Sequence, residues 1–268
     1  MKGFSRMERK VIEIKNHKIG GDNFVVIAGP CTIESKEKLQ LTAKELKNIP
    51  LVFIRGGTFK LRSSPYSFQG LGAEGVEYMK QVCDELNLIS VSEITSIEDL
   101  PIMLDKIDVI LIGTRNMQNY RLLTALGETK KPVILKRGMG NTISEWLLAA
   151  EYLTKGGNEN IIFCERGIRT FENYTRNTLD ISAVPAMREL TPYPIIVDPS
   201  HSSGKKEFIK PLSWAAAAAG ADGLLIESEI DPTSAVCDAE QIIDIDELKS
   251  IMEGLPHLIK LWGRKRIV

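Results

Sequence analysis

A chain of 268 residues and 29.8 kDa fits one or two domains at ~150 residues each, and an α/β barrel of roughly 250 residues would use nearly all of it. Hydrophobic residues at 43% and charged residues at 26% give an ordinary globular balance, which excludes disorder as the main state. With 34 Lys and Arg against 35 Asp and Glu, the net charge of -1 argues against a nucleic-acid or membrane-surface partner.

The N-terminus reads MKGFSRMERK, charged but without an apolar core behind it, so no secretory signal is expected. VIEIKNHKIGG, from Val11, reads as two short strands around a turn at Asn16-His17, with His17 an exposed turn residue. This hairpin, within residues 1–22, is expected to cap the bottom of a single catalytic barrel over residues 23–268. Eight short apolar runs follow: FVVIAGP (from Phe24), LVFIRGG (Leu51), LISVSEI (Leu88), VILIGTR (Val109), PVILKRG (Pro132), IIFCERG (Ile161), PIIVDPSH (Pro194) and GLLIESE (Gly223). They are rich in Val, Ile and Leu without strict alternation, as expected of strands buried on both faces.

Amphipathic segments fill the gaps. Leu39, Ala43 and Leu46 form one helical stripe, and Val76, Met79, Cys83 and Leu86 another. Thr142 and Glu145 have capping-box spacing, Ser96 and Asp99 look similar, and Gly127 reads as a helix stop. Strands alternating with helices predict a (β/α)8 TIM barrel, with an open doubly wound sheet as the alternative; the Gly-rich dinucleotide turn of the latter is absent. The most apolar stretch, Leu212 to Ile226, is short and broken by Gly220, Asp222 and Gly223, so no membrane span is expected. Four scattered cysteines without a CxxC pair read as cytosolic and reduced, with Cys83 and Cys164 in the core.

In a barrel the active site lies at the C-terminal strand ends. Each run delivers an ionisable group there: Cys31 with Glu34, then Arg55 followed by Lys60 and Arg62, Glu93, Arg115, Lys136 with Arg137, Glu165 with Arg166, Asp198 with His201, and Glu227. Any one of these could simply leave the core at a strand end. Together, Arg55, Lys60, Arg115, Lys136 and Arg166 converge in a protein of net charge -1, which predicts a site for phosphates and carboxylates. Cys31, His201 and Glu227 end three strands that barrel closure makes neighbours, and Asp238 in the following loop can reach back. A thiolate, an imidazole and two carboxylates suit Mn, Fe, Co or Zn rather than Ca or Mg. The long loop from Thr58 to Gly72 offers Lys60, Arg62, Ser63 and Ser64 as a further phosphate grip.

AGPCTIES (from Ala28), IRGGTFKLRSSPYSFQGLG (Ile54), IGTRNMQN (Ile112), LKRGMGNT (Leu135), CERGIRTFE (Cys164), TLDISAVP (Thr178) and VDPSHSSGKKE (Val197) resemble 3-deoxy-D-arabino-heptulosonate 7-phosphate (DAHP) synthase in its short, type I-beta form. The resemblance runs in order from about Ile14 to Asp238. It implies condensation of phosphoenolpyruvate with erythrose 4-phosphate, releasing phosphate, at the entry to the shikimate pathway of aromatic amino acid biosynthesis. It implies Cys31, His201, Glu227 and Asp238 as ligands of a divalent metal. It implies Arg55, Lys60, Arg115, Lys136 and Arg166 as the phosphoenolpyruvate site, and Arg62 and Ser63 as the erythrose phosphate grip. Glu165 is counted with the substrate-binding residues, and Lys60, with Cys31 and His201, is the expected catalytic set.

Three positions depart from the family pattern. KPRT reads Lys60-Leu61-Arg62-Ser63, Val-His-Pro after Glu227 reads Ser228-Glu229-Ile230, and Ser-Asp-Gly reads Cys237-Asp238-Ala239. Cys237 is a candidate oxidation partner for Cys31. A bare catalytic unit without a fused feedback domain is expected, as a cytoplasmic homo-oligomer (dimer or tetramer). The alternatives are the sister enzyme acting on arabinose 5-phosphate, 3-deoxy-D-manno-octulosonate 8-phosphate synthase, a Schiff-base aldolase using Lys136, and a non-catalytic sugar-phosphate-binding paralogue.

Overall fold

A computed structural model describes residues 8–49, 51–62 and 64–268. Eight parallel strands form the barrel: β3 (Asn23–Gly29), β4 (Phe53–Arg55), β5 (Ile89–Ile94), β6 (Val109–Ile112), β7 (Val133–Lys136), β8 (Ile161–Glu165), β9 (Ile195–Val197) and β10 (Gly223–Glu227). Each pairs with the next, and β10 pairs with β3 over Gly223–Glu227 to close the cylinder. The predicted (β/α)8 barrel is therefore the architecture.

Helices α1 (Lys36–Asn48), α2 (Ala73–Leu86), α3 (Leu100–Lys106), α4 (Tyr120–Gly127), α5 (Ile143–Lys155), α6 (Ala183–Leu190), α7 (Pro199–Ser203), α8 (Ile209–Ala219) and α9 (Ile245–Ile259) fill the crossovers. The period-2 geometry of the strands divides the core in two. Val25, Ile27, Phe53, Val91, Ile134, Cys164 and Leu225 face the barrel axis, whereas Phe24, Val26, Ile54, Leu135 and Ile226 face the helices. Cys83 packs in the outer layer and Cys164 in the inner one, both as expected.

The N-terminal hairpin β1 (Ile12–Ile14) and β2 (His17–Ile19) puts Ile12, Ile14 and Ile19 into the inner core and so plugs the bottom of the barrel. Its turn lies one residue earlier than predicted. Lys15 takes the left-handed conformation at φ 52°, so His17 begins β2 and meets Phe53 edge-on at 6.2 Å between ring centroids. A two-residue strand that the sequence did not reveal, β11 (Arg266–Ile267), runs parallel to the start of β3.

Thr142 and Glu145 form the predicted capping box of α5. Ser96 does not cap a helix. Its hydroxyl donates to Asp99, and α3 starts only at Leu100. Gly127 is the last residue of α4 rather than the residue that breaks it. Its role is close approach, since a Cβ there would lie 2.7 Å from the Tyr152 carbonyl oxygen of α5. Gly127→Ala is expected to force α4 and α5 apart at a cost of roughly 1–3 kcal/mol, read as a lower Tm with unchanged turnover.

Candidate active site

Strand parity selects the groups that reach the mouth of the barrel. Phe53, Val91, Ile134 and Leu225 face the axis, so two residues on, Arg55, Glu93, Lys136 and Glu227 face it too, one layer higher. Around them opens a cleft of about 240 Å³ lined by Lys60, Arg62, Arg115, Lys136, Arg166 and Arg176, together with Glu93, His201 and Asp238. A narrower extension beneath it reaches Cys31 and Arg55.

Cys31, His201, Glu227 and Asp238 offer ligand atoms that all lie within 4.8 Å of one another. Each arrives by a different device. Cys31 sits two residues past β3 and is 3% exposed, Glu227 ends β10, and Asp238 enters from the long loop after it in a left-handed conformation at φ 55°. His201 lies not at a strand end, as the sequence predicts, but on α7, just past β9. Asp198 caps that helix, accepting from His201 N at 2.9 Å through one oxygen and facing His201 Nδ1 at 2.8 Å through the other. This contact turns His201 Nε2 toward Glu227 Oε1, 3.2 Å away.

The electrostatics favour a cation at this point. Burial pushes the Cys31 thiol well up and brings His201 down to about 4, so neither group is charged by its own surroundings near neutral pH. Burial would also raise Glu227, but His201, Arg55 and Lys60 outweigh it and hold the carboxyl at about 2. Asp238 is lowered against the cost of burial by Lys60 and Arg176. Burial opposes the charge of Lys60, yet Cys31, Glu227 and Asp238 raise its pKa. One soft donor, one imidazole fixed through its second nitrogen and two carboxylates fit a borderline divalent metal.

The cations are largely held by protein carboxylates. Arg55 donates to Glu227 at 2.8 Å and to the Cys31 carbonyl at 3.1 Å; Lys60 touches Cys31 Sγ and Asp238; and Lys136 meets Asp198 at 2.6 Å. Burial lowers the Arg166 pKa, and one of its terminal nitrogens is buried without a hydrogen-bond partner, as suits a group awaiting an anion. Arg115 follows β6 in a single 3-10 turn, not at the strand end, and donates to the Leu61 carbonyl at 3.1 Å. Arg62 rests on Cys237 Sγ at 2.8 Å, and Ser63 lies outside the described residues.

Glu165 departs from its expected place. Cys164 faces the barrel axis, so Glu165 points outward, fully buried, bound by Arg137 at 3.0 Å and by Gly167 N at 2.6 Å, and it does not line the cleft. Glu229 sits behind the quartet, 1% exposed and 3.2 Å from Lys38, and burial pushes its carboxyl up to about 7. Cys31 and Cys237 are both free thiols within one small apolar cluster with Ile242.

Four further residues were given no role by the sequence. Glu93 and Asp198 were visible as strand-end acids, whereas nothing local marked Arg176 or Gln241. The Glu93 carboxylate lies over Gly113, where a Cβ would come within 1.9 Å of it. It reaches both the cleft and the inner extension.

The model of the DAHP synthetase I family matches residues 9–260. The chain belongs to that family. It is 47% identical over 258 residues to a phospho-2-dehydro-3-deoxyheptonate aldolase of Thermotoga maritima, covering 96% of this chain and 76% of that one. The crystal structure of the Thermotoga DAHP synthase superposes with a TM-score of 0.92 at 46% identity, over 97% of this chain and 75% of that one. A truncated form of the Thermotoga synthase gives a TM-score of 0.90, covering 97% and 95%. A 2-dehydro-3-deoxyphosphooctonate aldolase of Geobacter sulfurreducens is more distant, at 32% identity over 91% of this chain and 96% of its own.

Proposed function

We propose that this protein is a metal-dependent DAHP synthase, joining phosphoenolpyruvate to erythrose 4-phosphate and releasing inorganic phosphate. The observation that carries the reading is the juxtaposition of the four-donor quartet with six cationic side chains in one cleft. The two substrates carry two phosphates and a carboxylate, which calls for such a density of cations.

Cys31, His201, Glu227 and Asp238 would hold the divalent metal, whose Lewis acidity polarises the aldehyde carbonyl. Arg166, Lys136 and Arg115 hold the phosphate and carboxylate of phosphoenolpyruvate, with Arg55 beneath, and Arg62 with Ser63 holds the sugar phosphate. The enol carbon of phosphoenolpyruvate bonds to the aldehyde carbon, and Lys60, beside the quartet, stabilises and protonates the oxygen that gains the electron pair. Water adds to the carbon left electron-poor, and the carbon–oxygen bond to phosphate breaks. Fixed charges orient both partners and offset the developing charge.

Glu93 supplies the carboxylate that this water step needs. Burial raises its pKa, while Lys136, Lys60, Arg55 and Arg115 oppose the rise. Its ionised form is therefore lost as pH falls through a value above the usual 4.5. Glu93→Gln is expected to lower turnover about 100-fold and to flatten the acidic limb of the pH–rate profile. A profile that keeps the parent's acidic limb would assign that limb to another group.

The deciding experiment follows phosphate release from phosphoenolpyruvate with erythrose 4-phosphate or arabinose 5-phosphate, with and without EDTA. Release with the four-carbon sugar that stops with EDTA and returns with Mn, Fe, Co or Zn is the expected result. Preference for the five-carbon sugar would move the protein to the sister activity, and release unaffected by EDTA would overturn the quartet. Among the described residues no helix is long and apolar enough to cross a membrane. A cytoplasmic homo-oligomer is the proposed setting.

A further inference from the structure

We infer that Arg176 and Gln241 form a positioning arm that sets two of the four quartet carboxylate and donor groups, Glu227 and Asp238, from the open side of the cleft. The inference rests on the metal reading above and deepens it.

Gln241 is 2% exposed, and its amide lies between two groups of opposite hydrogen-bonding character. Arg176 only donates and reaches Gln241 Oε1 at 2.8 Å; Glu227 only accepts and receives Gln241 Nε2 at 2.5 Å. The amide therefore has one orientation. It occupies Glu227 Oε2, while Oε1 faces Arg55 and His201 Nε2. The same Arg176 nitrogen stands 3.5 Å from Asp238 Oδ1, and Asp238 Oδ2 faces Lys60 and Cys31. One guanidinium thus limits the rotation of both carboxylates, directly for Asp238 and through an amide for Glu227.

The backbone holds both ends of this arm. Gln241 closes a 3-10 turn begun by Asp238, its N–H donating to the Asp238 carbonyl at 3.0 Å. Arg176 N donates to Ser203 O at 2.9 Å and Asn177 N to Ser202 O at 2.8 Å, and the Asn177 side chain donates to His201 O. The loop that carries Arg176 is thereby fastened to the helix that carries His201. Gly204, at φ 66°, lets the chain pass over the Arg176 side chain, where a Cβ would meet Arg176 Cβ at 2.6 Å. The Arg176 side chain is 38% exposed, and a surface ion pair of this kind adds little to stability. Its worth lies in fixing ligand orientation, the property that outer partners of metal ligands commonly control.

The test uses the full chain stripped of metal and titrated with Co²⁺ against a chromophoric chelator, for the parent, Arg176→Gln, Arg176→Lys, Gln241→Leu and the double variant. Arg176→Gln and Gln241→Leu are each expected to weaken Co²⁺ binding about 10- to 100-fold and to alter the visible Co²⁺ spectrum. Arg176→Lys is expected to fall short of the parent, because a point charge cannot hold two acceptors in one plane. The double variant is expected to be little worse than the worse single one, since both substitutions cut the same arm. Parent-like Co²⁺ affinity and spectrum in both single variants would overturn the arm while leaving the quartet standing. Failure of the parent to bind Co²⁺ at one site per chain would overturn the quartet and the arm with it. Arg176→Gln, at the exposed end, keeps the test decisive if Gln241→Leu does not fold, and unchanged Co²⁺ binding in it alone would suffice against the arm.

Discussion

Cys31→Ser is expected to lose bound metal and to lower turnover by a factor of about 10³ or more, equivalent to the several kcal/mol that a Lewis acid supplies at a developing alkoxide. The substitution removes little volume, so the fold should survive it. The apolar neighbours of Cys31 are Cys237, Ile242, Phe68 and Ala235, a small cluster apart from the two barrel cores. The chemical change is larger. Burial beside Glu227 pushes the Cys31 thiol well up, so the thiolate exists there only with compensating positive charge. A serine hydroxyl is far less acidic and a harder donor, and it cannot replace a thiolate toward a borderline metal. Metal content after gel filtration, Tm and phosphate release would be measured together. Full metal content and turnover in Cys31→Ser would remove Cys31 from the ligand set.

The strands and the quartet were legible for related reasons. Runs such as FVVIAGP and PVILKRG are buried on both faces, and continuous apolar character over a few residues has few other uses. Closure of the barrel then makes the ends of β9, β10 and β3 neighbours, which brings His201, Glu227 and Cys31 together from distant parts of the chain. Reading strand ends without parity misplaced Glu165. Counting by twos from Cys164 would have sent it outward to Arg137 and kept Arg166 in the mouth. Helix α7 was hidden because PSHSS has poor helix propensity; the Asp198 cap and the Ser202 and Ser203 hydroxyls bonded to the Pro199 carbonyl stabilise it instead. Arg176 left no local trace. Its place is fixed by backbone bonds to Ser202 and Ser203, and no periodicity encodes a contact of that kind.

Asp198→Asn is expected to reduce turnover on the order of 10³-fold while leaving phosphoenolpyruvate binding as tight as in the parent, or tighter. Asp198 is fully buried, and its two oxygens serve three donors: Lys136 Nζ at 2.6 Å, His201 Nδ1 at 2.8 Å and His201 N at 2.9 Å. An amide turns one oxygen into a donor. If its nitrogen takes the place of Oδ1, it faces the His201 N–H and α7 loses its cap. If it takes the place of Oδ2, it faces the Lys136 ammonium and donates to His201 Nδ1. The second arrangement moves the imidazole proton to Nε2, the nitrogen turned toward Glu227 and the quartet, and a protonated nitrogen cannot be a ligand. Breaking one side of a buried pair also costs roughly 3–5 kcal/mol, so a lower Tm is expected. Lys136, released from its internal anion, remains at the cleft and is free to hold a substrate phosphate more firmly. Turnover should therefore fall without a rise in the KM for phosphoenolpyruvate, whereas Lys136→Met should raise that KM. A common rise in KM for both variants would mean that Asp198 only supports the lysine and does not orient His201.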